Sequence, residues 1–195
     1  VDEMNVDMLA IAPHKGLHAP QGVGALLVGS RAKAALRPIL YGGTGTASDE
    51  LSQPADFPDG FEAGTLPAPA IAGLCAALCR CEREGYKDRE IINELSLRLR
   101  RGLYSIDGVK ILSPENALSG IVAFNVRDYD SGEVADILSS EYDICVRAGL
   151  HCAPLAHKYL GTLGRGAVRV SLGYDNTLRE VDFFLRAVGE ISGKR

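Results

Sequence analysis

"IAPHKGLHAPQGVGALLV", residues 11–28, breaks an apolar run at Pro13, displays His14-Lys15-Gly16, and resumes as Val, Leu and Ala. Proline interrupts a strand ladder and glycine permits a turn, so Lys15 stands just beyond one strand and ahead of another. The first strand is expected over Met8–Ala12. The second, over Gly22–Gly29, has no polar alternation and reads as a strand of the fully buried kind. A lysine delivered into such a turn has two readings. It is a solvated turn residue, as most lysines are, or an amine whose partial desolvation suits it to Schiff-base chemistry.

The bulk numbers set the frame. The chain has 195 residues, 46% hydrophobic and 24% charged, enough apolar material for one large domain or two small ones. A net charge of −4, with basic residues spread along the chain, gives no nucleic-acid footprint. No apolar run approaches the roughly 20 residues of a membrane span, and no secretory leader is expected from the acidic, polar start. The five cysteines, at 75, 79, 81, 145 and 152, are an odd number that fits a reducing cytoplasm better than a disulfide framework. Cys75, Cys79 and Cys81 lie in "GLCAALCRCEREGY", which reads as helix; Cys75 and Cys79 share a face. They are expected to pack as small hydrophobes rather than bind metal, since no Cys/His pair follows at ligand spacing.

Around the opening stretch, composition and periodicity order the rest. Residues 37–69 are rich in Gly, Pro, Ser, Thr and Asp and read as a long loop, a length that tends to be functional. Helical periodicity runs from Pro69 to about Glu84, and a second helix from Asp88 to Ser105 carries Ile91, Ile92, Leu95, Leu99 and Leu103 on one side. Strands are expected at 109–114, 119–126, 143–149 and 167–174. A helix is expected over 131–142 with Ser131 as its cap, and a last one over 176–191, capped by Asn176 or Thr177 with Glu180 in its first turn. The order describes a small α/β domain from about residue 75 onward.

Two further positions carry chemistry. Cys152, in "VRAGLHCAPLAH", follows a strand and has Arg147, His151 and His157 close in sequence. Positive neighbours favour the reactive thiolate, and a buried loop cysteine is the competing reading. Arg169, in "GAVRVSLGY", is a guanidinium in an apolar strand, where it needs an anion, an internal acid or an edge facing water. "GGTGT" (42–46) and "FEAGT" (61–65) offer backbone N–H groups and hydroxyls to a phosphate. Neither the P-loop nor the Rossmann pattern is present.

Taken together, "DMLAIAPHKGLHAPQGVGALLV", "YGGTGTAS", "FEAGT", "VRAGLHCAPLAH" and "VRVSLGYDNTLREVD" resemble the C-terminal half of the pyridoxal phosphate (PLP)-dependent cysteine desulfurases and selenocysteine lyases, with their class V aminotransferase fold. The resemblance runs essentially end to end. It implies the C-terminal portion of the fold type I PLP-dependent transferases, α/β in class. Residues 1–74 would be the remnant of the PLP-binding large domain, with the Lys-bearing turn and an interface loop, and 75–195 the small C-terminal domain. Lys15 resembles the lysine that bonds to PLP, and His14 the preceding histidine that contacts the cofactor phosphate. Thr65 resembles the threonine reaching the phosphate of a neighbouring subunit's cofactor. Arg169 matches the arginine gripping the substrate carboxylate, and Cys152 the cysteine that takes the sulfur.

By resemblance, L-cysteine or L-selenocysteine is the substrate and L-alanine the product. Cys152 would become a persulfide, passed to a sulfur-acceptor protein in iron–sulfur cluster assembly by a cytoplasmic homodimer. The compact "RAGLHCAPLAHKYLG" is similar to the shorter-loop desulfurases, whose transfer depends strongly on an acceptor. Two positions depart from the family pattern: Ala12 stands where Ser or Thr is common, and Leu66-Pro67 where Pro-Asn is usual. The family's ring-stacking aromatic and pyridine-pairing Asp have no counterpart in these residues, so the chain alone is expected to bind PLP weakly and not to turn over. Alternatives are another class V activity (aminotransferase, epimerase or other lyase) with Cys152 structural, a non-catalytic dimerisation or acceptor-binding module, or a metal-binding protein.

Overall fold

Met8–Ile11 (β1) and Ala25–Val28 (β2) pair antiparallel, with Met8 opposite Val28 and Ile11 opposite Ala25. Among the described residues these strands pair only with each other. The expectation of a fully buried second strand is therefore corrected: Leu26 and Leu27 are exposed. A two-stranded ribbon has too little surface of its own to cover both faces. The computed structural model describes residues 3–114, 117 and 119–194, and the chain divides into two units, Val1–Glu84 and Gly85–Arg195.

The first unit is mostly irregular beyond the ribbon, as composition leads one to expect. A one-turn helix, Ser30–Lys33 (α1), is held to the ribbon side by Arg31, whose Nε lies 2.8 Å from Asp7 Oδ1. In the long loop the rings of Phe57 and Phe61 pack with centroids 5.0 Å apart, and Lys33 Nζ stands 5.2 Å from the Phe57 ring centre. Aromatic and cation–π contacts thus order a segment that has no ladder of backbone bonds.

A single helix, Ala68–Ser105 (α2, 38 residues), replaces the two expected from periodicity. Gly85 between them costs about 1 kcal/mol relative to alanine, too little to break a long helix, and Arg80 pairs with Glu84 at 3.9 Å one turn apart. The expected boundary at 74/75 and the observed division at 84/85 both fall inside this helix. Its buried residues begin only at Leu95. Cys75, Cys79 and Cys81, expected in a core, are exposed, because they precede the buried part of the helix.

In the second unit, Val109–Ile111 (β3), Ile121–Val126 (β4) and Val168–Ser171 (β5) form an antiparallel sheet in the order β3-β4-β5. The helices Ser131–Tyr142 (α3), Pro154–Tyr159 (α4) and Leu178–Gly193 (α5) complete it. Alternate β4 residues Val122, Phe124 and Val126 point into one core with Leu99 and Leu103 of α2 and Val181, Val188 and Ile191 of α5. Phe124 meets Phe184 edge to face, centroids 6.0 Å apart. Burying each such side chain contributes about 1.5–3 kcal/mol. Gly102 of α2 lets α5 approach, since a Cβ there would run into the Leu185 side chain.

Helix caps follow the chemistry of short polar side chains. Thr177 caps α5 in a capping box with Glu180, one of the two caps expected. Asp130, rather than the expected Ser131, caps α3 in a box with Glu133. Ser131 is engaged elsewhere: its hydroxyl donates to the Arg165 carbonyl at 2.7 Å and accepts the Gly149 N–H at 3.2 Å. The expected strand over 143–149 is reduced to a bridge at Arg147. Asp143 turns left-handed to end α3, and the chain reaches β5 only over its last residues. Among the described residues no helix is long and apolar enough to cross a membrane, and no cluster of three His, Cys, Asp or Glu could hold a metal.

Candidate active site

Just past β1, Pro13 is buried and the chain winds through two interlocked turns. The Lys15 N–H donates to the Ala12 carbonyl at 3.1 Å, and the His18 N–H to the Lys15 carbonyl at 3.0 Å. Ala19 N–H closes back on Pro13 at 3.0 Å, and His18 takes a left-handed φ of 55° to allow it. His14 and Lys15 therefore leave one rigid turn side by side, both exposed. Among the described residues the Lys15 ammonium has no hydrogen-bond or ion-pair partner, so an arriving group need displace none.

Elsewhere in the same unit, the two candidate phosphate segments are joined. Gly64 N–H donates to the Gly43 carbonyl at 2.8 Å, with Gly64 at a φ of 90° that favours glycine. Thr65 follows directly and is exposed. Thr44 Oγ accepts the Ala47 N–H at 3.1 Å, which bends the glycine loop. "GGTGT" and "FEAGT" are thus one structural feature rather than two.

Cys152 occupies the second unit. Residues 147–149 run antiparallel to 167–169: Arg147 N–H donates to the Arg169 carbonyl at 3.1 Å and Arg169 N–H to the Arg147 carbonyl at 2.7 Å. Gly149 and Ala167 exchange bonds of 3.2 and 3.1 Å in the same way. Beyond this pairing the chain makes a tight turn, with His151 and Cys152 both left-handed at φ of 53° and 60°. The turn presents Cys152 Sγ to solvent, 3.5 Å from Arg147 Nη2, which donates to it. Arg169 is half-buried, and its Nε is a buried donor with no partner among the described residues. An uncompensated buried guanidinium N–H is costly, and an anion would satisfy it.

His151 of the turn and His157 of α4 lie near each other. His151 Nε2 lies 3.0 Å from the Ala167 carbonyl, and the two imidazoles stand 5.7 Å apart between centroids. His157 is buried, its Nδ1 2.8 Å from Thr162 Oγ. Burial lowers the His151 pKa below the ordinary histidine value, and the charges of Arg169, His157 and Arg147 push the same way against the Ala167 hydrogen bond.

The structure thus sets His14 beside Lys15, Thr65 beside the glycine loop, and Cys152 and Arg169 on either side of Arg147. The Arg147–Arg169 pairing, the Ser131 fastener and the buried His157–Thr162 pair went unread in the sequence. Aligning "VRAG" against "AVRVS" as antiparallel partners would have brought out the first.

The class-V aminotransferase family matches residues 1–184. The chain is 34% identical over 202 residues to the probable cysteine desulfurase of Methanothermobacter thermautotrophicus, covering 99% of this chain and 49% of that protein. It is 32% identical to the mitochondrial cysteine desulfurase of Saccharomyces cerevisiae, covering 97% of this chain and 37% of that one. Among solved structures, apo cysteine desulfurase from Thermococcus onnurineus NA1 superposes with a TM-score of 0.88 at 33% identity, over 100% of this chain and 49% of its own. The Escherichia coli cysteine desulfurase CsdA does so at 0.81 and 26% identity, over 100% and 48%. The chain therefore spans half or less of the length of the curated relatives named here.

Proposed function

Because the chain belongs to the class-V aminotransferase family, we propose that it carries the lysine and the sulfur-accepting cysteine of a PLP-dependent cysteine desulfurase. The observation that carries this reading is the setting of Cys152. It is an exposed thiol on a left-handed turn, 3.5 Å from one arginine and on the segment paired with a second whose Nε lacks a partner among the described residues. Relatives named cysteine desulfurase cover nearly the whole of this chain.

The donor set fits PLP. Lys15 offers an exposed amine for the aldehyde, and His14 and Thr65 offer an imidazole and a hydroxyl for the phosphate. PLP when bound supplies an electron sink for the pair left at the substrate α-carbon. Lys15 Nζ takes up and returns the α-proton of L-cysteine as general base and acid. The Arg169 guanidinium receives the substrate carboxylate, and the Cys152 sulfur accepts the substrate sulfur. Arg147 stabilises an anionic sulfur on Cys152 before and after that transfer.

In this reading residues 1–74 belong to the large PLP domain and 75–195 to the small C-terminal domain. The protein acts as a homodimer and hands sulfur to an acceptor protein, in support of iron–sulfur cluster assembly. A cytoplasmic location is part of the same proposal. In active protein, the test is to supply PLP and L-cysteine and follow L-alanine release together with the mass of the Cys152 peptide. Gain of one sulfur atom on Cys152, lost with Lys15→Ala, supports the proposal. Alanine formation that survives Cys152→Ala overturns it in favour of another class V chemistry.

A further inference from the structure

The turn that presents Cys152 takes two consecutive left-handed residues, neither of them glycine. Such conformations persist only where surrounding contacts impose them. Backbone bonds contribute at each end: the Gly149–Ala167 pair below the turn and Ala153 N–H to the Leu150 carbonyl, 2.8 Å, across it. From inside the turn, the side chain that reaches back to the β5 edge is His151, through Nε2 to the Ala167 carbonyl at 3.0 Å.

That bond determines the tautomer. A carbonyl only accepts, so Nε2 carries the hydrogen and the neutral ring leaves its lone pair on Nδ1. Nδ1 is buried and, among the described residues, has no partner. A second proton would place an N–H there without an acceptor. It would also add a charge facing Arg169 on β5, His157 on α4 and Arg147 on the segment before the turn. The His157 ring, itself fixed to Thr162, backs the imidazole at 5.7 Å.

We propose that His151 is a positioning residue for Cys152: as a neutral imidazole it pins the turn to the Ala167 carbonyl and so keeps the thiol beside Arg147. The idea rests on Cys152 being the sulfur acceptor, yet its consequences are read on the chain without turnover.

The experiment compares wild type, His151→Gln and His151→Ala. It follows amide hydrogen exchange at Gly149 and Ala167, and iodoacetamide labelling of Cys152 resolved by peptide mass from the other four cysteines. Losing the tether in His151→Ala is expected to speed exchange at both amides by about tenfold and to slow Cys152 labelling at pH 7.5 by about two- to tenfold. His151→Gln, which donates without titrating, is expected to stay within about twofold of wild type. Between pH 7.5 and pH 5 the wild-type turn should lose protection relative to the Gln variant. Three results overturn the proposal: His151→Ala matching wild type, His151→Gln matching His151→Ala, or identical pH profiles for wild type and Gln. A Nδ1–H tautomer in the imidazole nitrogen spectrum of the wild-type chain does so without any variant. Expected turn behaviour combined with no sulfur ever reaching Cys152 overturns the functional reading alone.

Discussion

Arg147 and Arg169 exchange both of their backbone hydrogen bonds, at 3.1 and 2.7 Å, so their side chains leave the same face of one antiparallel pair. Like charges directly opposite on a sheet are destabilising. The two side chains are placed differently: Arg147 reaches Cys152 Sγ, while Arg169 Nε is a buried donor with no partner among the described residues.

It follows that the two arginines separate on mutation. Arg147→Gln relieves repulsion and should leave stability unchanged or higher by a few tenths of a kcal/mol, while slowing alkylation of Cys152. Denaturant midpoints and peptide-resolved labelling measure the two effects. Lower stability together with unchanged labelling would contradict this division of roles.

Arg169→Lys preserves charge and loses the planar fork. In active protein it should raise KM for L-cysteine by about tenfold or more with a smaller effect on kcat. A variant that lowers kcat at constant KM would remove Arg169 from carboxylate binding.

Glycines 166 and 189 give opposite signs for the same substitution. At Gly166, φ is 66° and a Cβ would come within 2.7 Å of both Gly149 Cα and Ser131 Oγ, so alanine should destabilise by about 1–3 kcal/mol. It should also loosen the Cys152 turn. At Gly189, inside α5, a Cβ meets nothing within 4 Å, and alanine should stabilise by about 0.5–1 kcal/mol. Urea unfolding of both variants checks the pair.

The lowered pKa of His151 makes stability depend on pH. The unfolded chain protonates near 6.5 and the folded one lower, so the contribution is fully present above 6.5. It is lost progressively as the pH falls from there through the folded value. His151→Gln should flatten that part of the curve, as measured by unfolding at pH 7.5, 6 and 5.

Much of this was legible in the sequence. Thr177 and Glu180 announce the start of α5 because a capping box is a local contract between neighbouring residues. The glycine- and proline-rich composition announces the long loop. Non-local pairing decides what was misread. Ser131 looks like a cap until Arg165 and Gly149 claim its hydroxyl, and 143–149 looks like a strand until only its end meets β5. Cys75 and Cys79 follow a core-like spacing, yet the buried residues of α2 begin only at Leu95. The two arginines lie 22 positions apart, and only the fold sets them face to face.

The most direct measurement is reductive trapping. The chain is incubated with PLP, reduced with borohydride, and its lysine-containing peptides are weighed. The account predicts a label on Lys15 well above that on Lys33, Lys87, Lys110, Lys158 and Lys194, and its disappearance in Lys15→Ala. Labelling spread evenly over the lysines, with Lys15 no different from the rest, would contradict it.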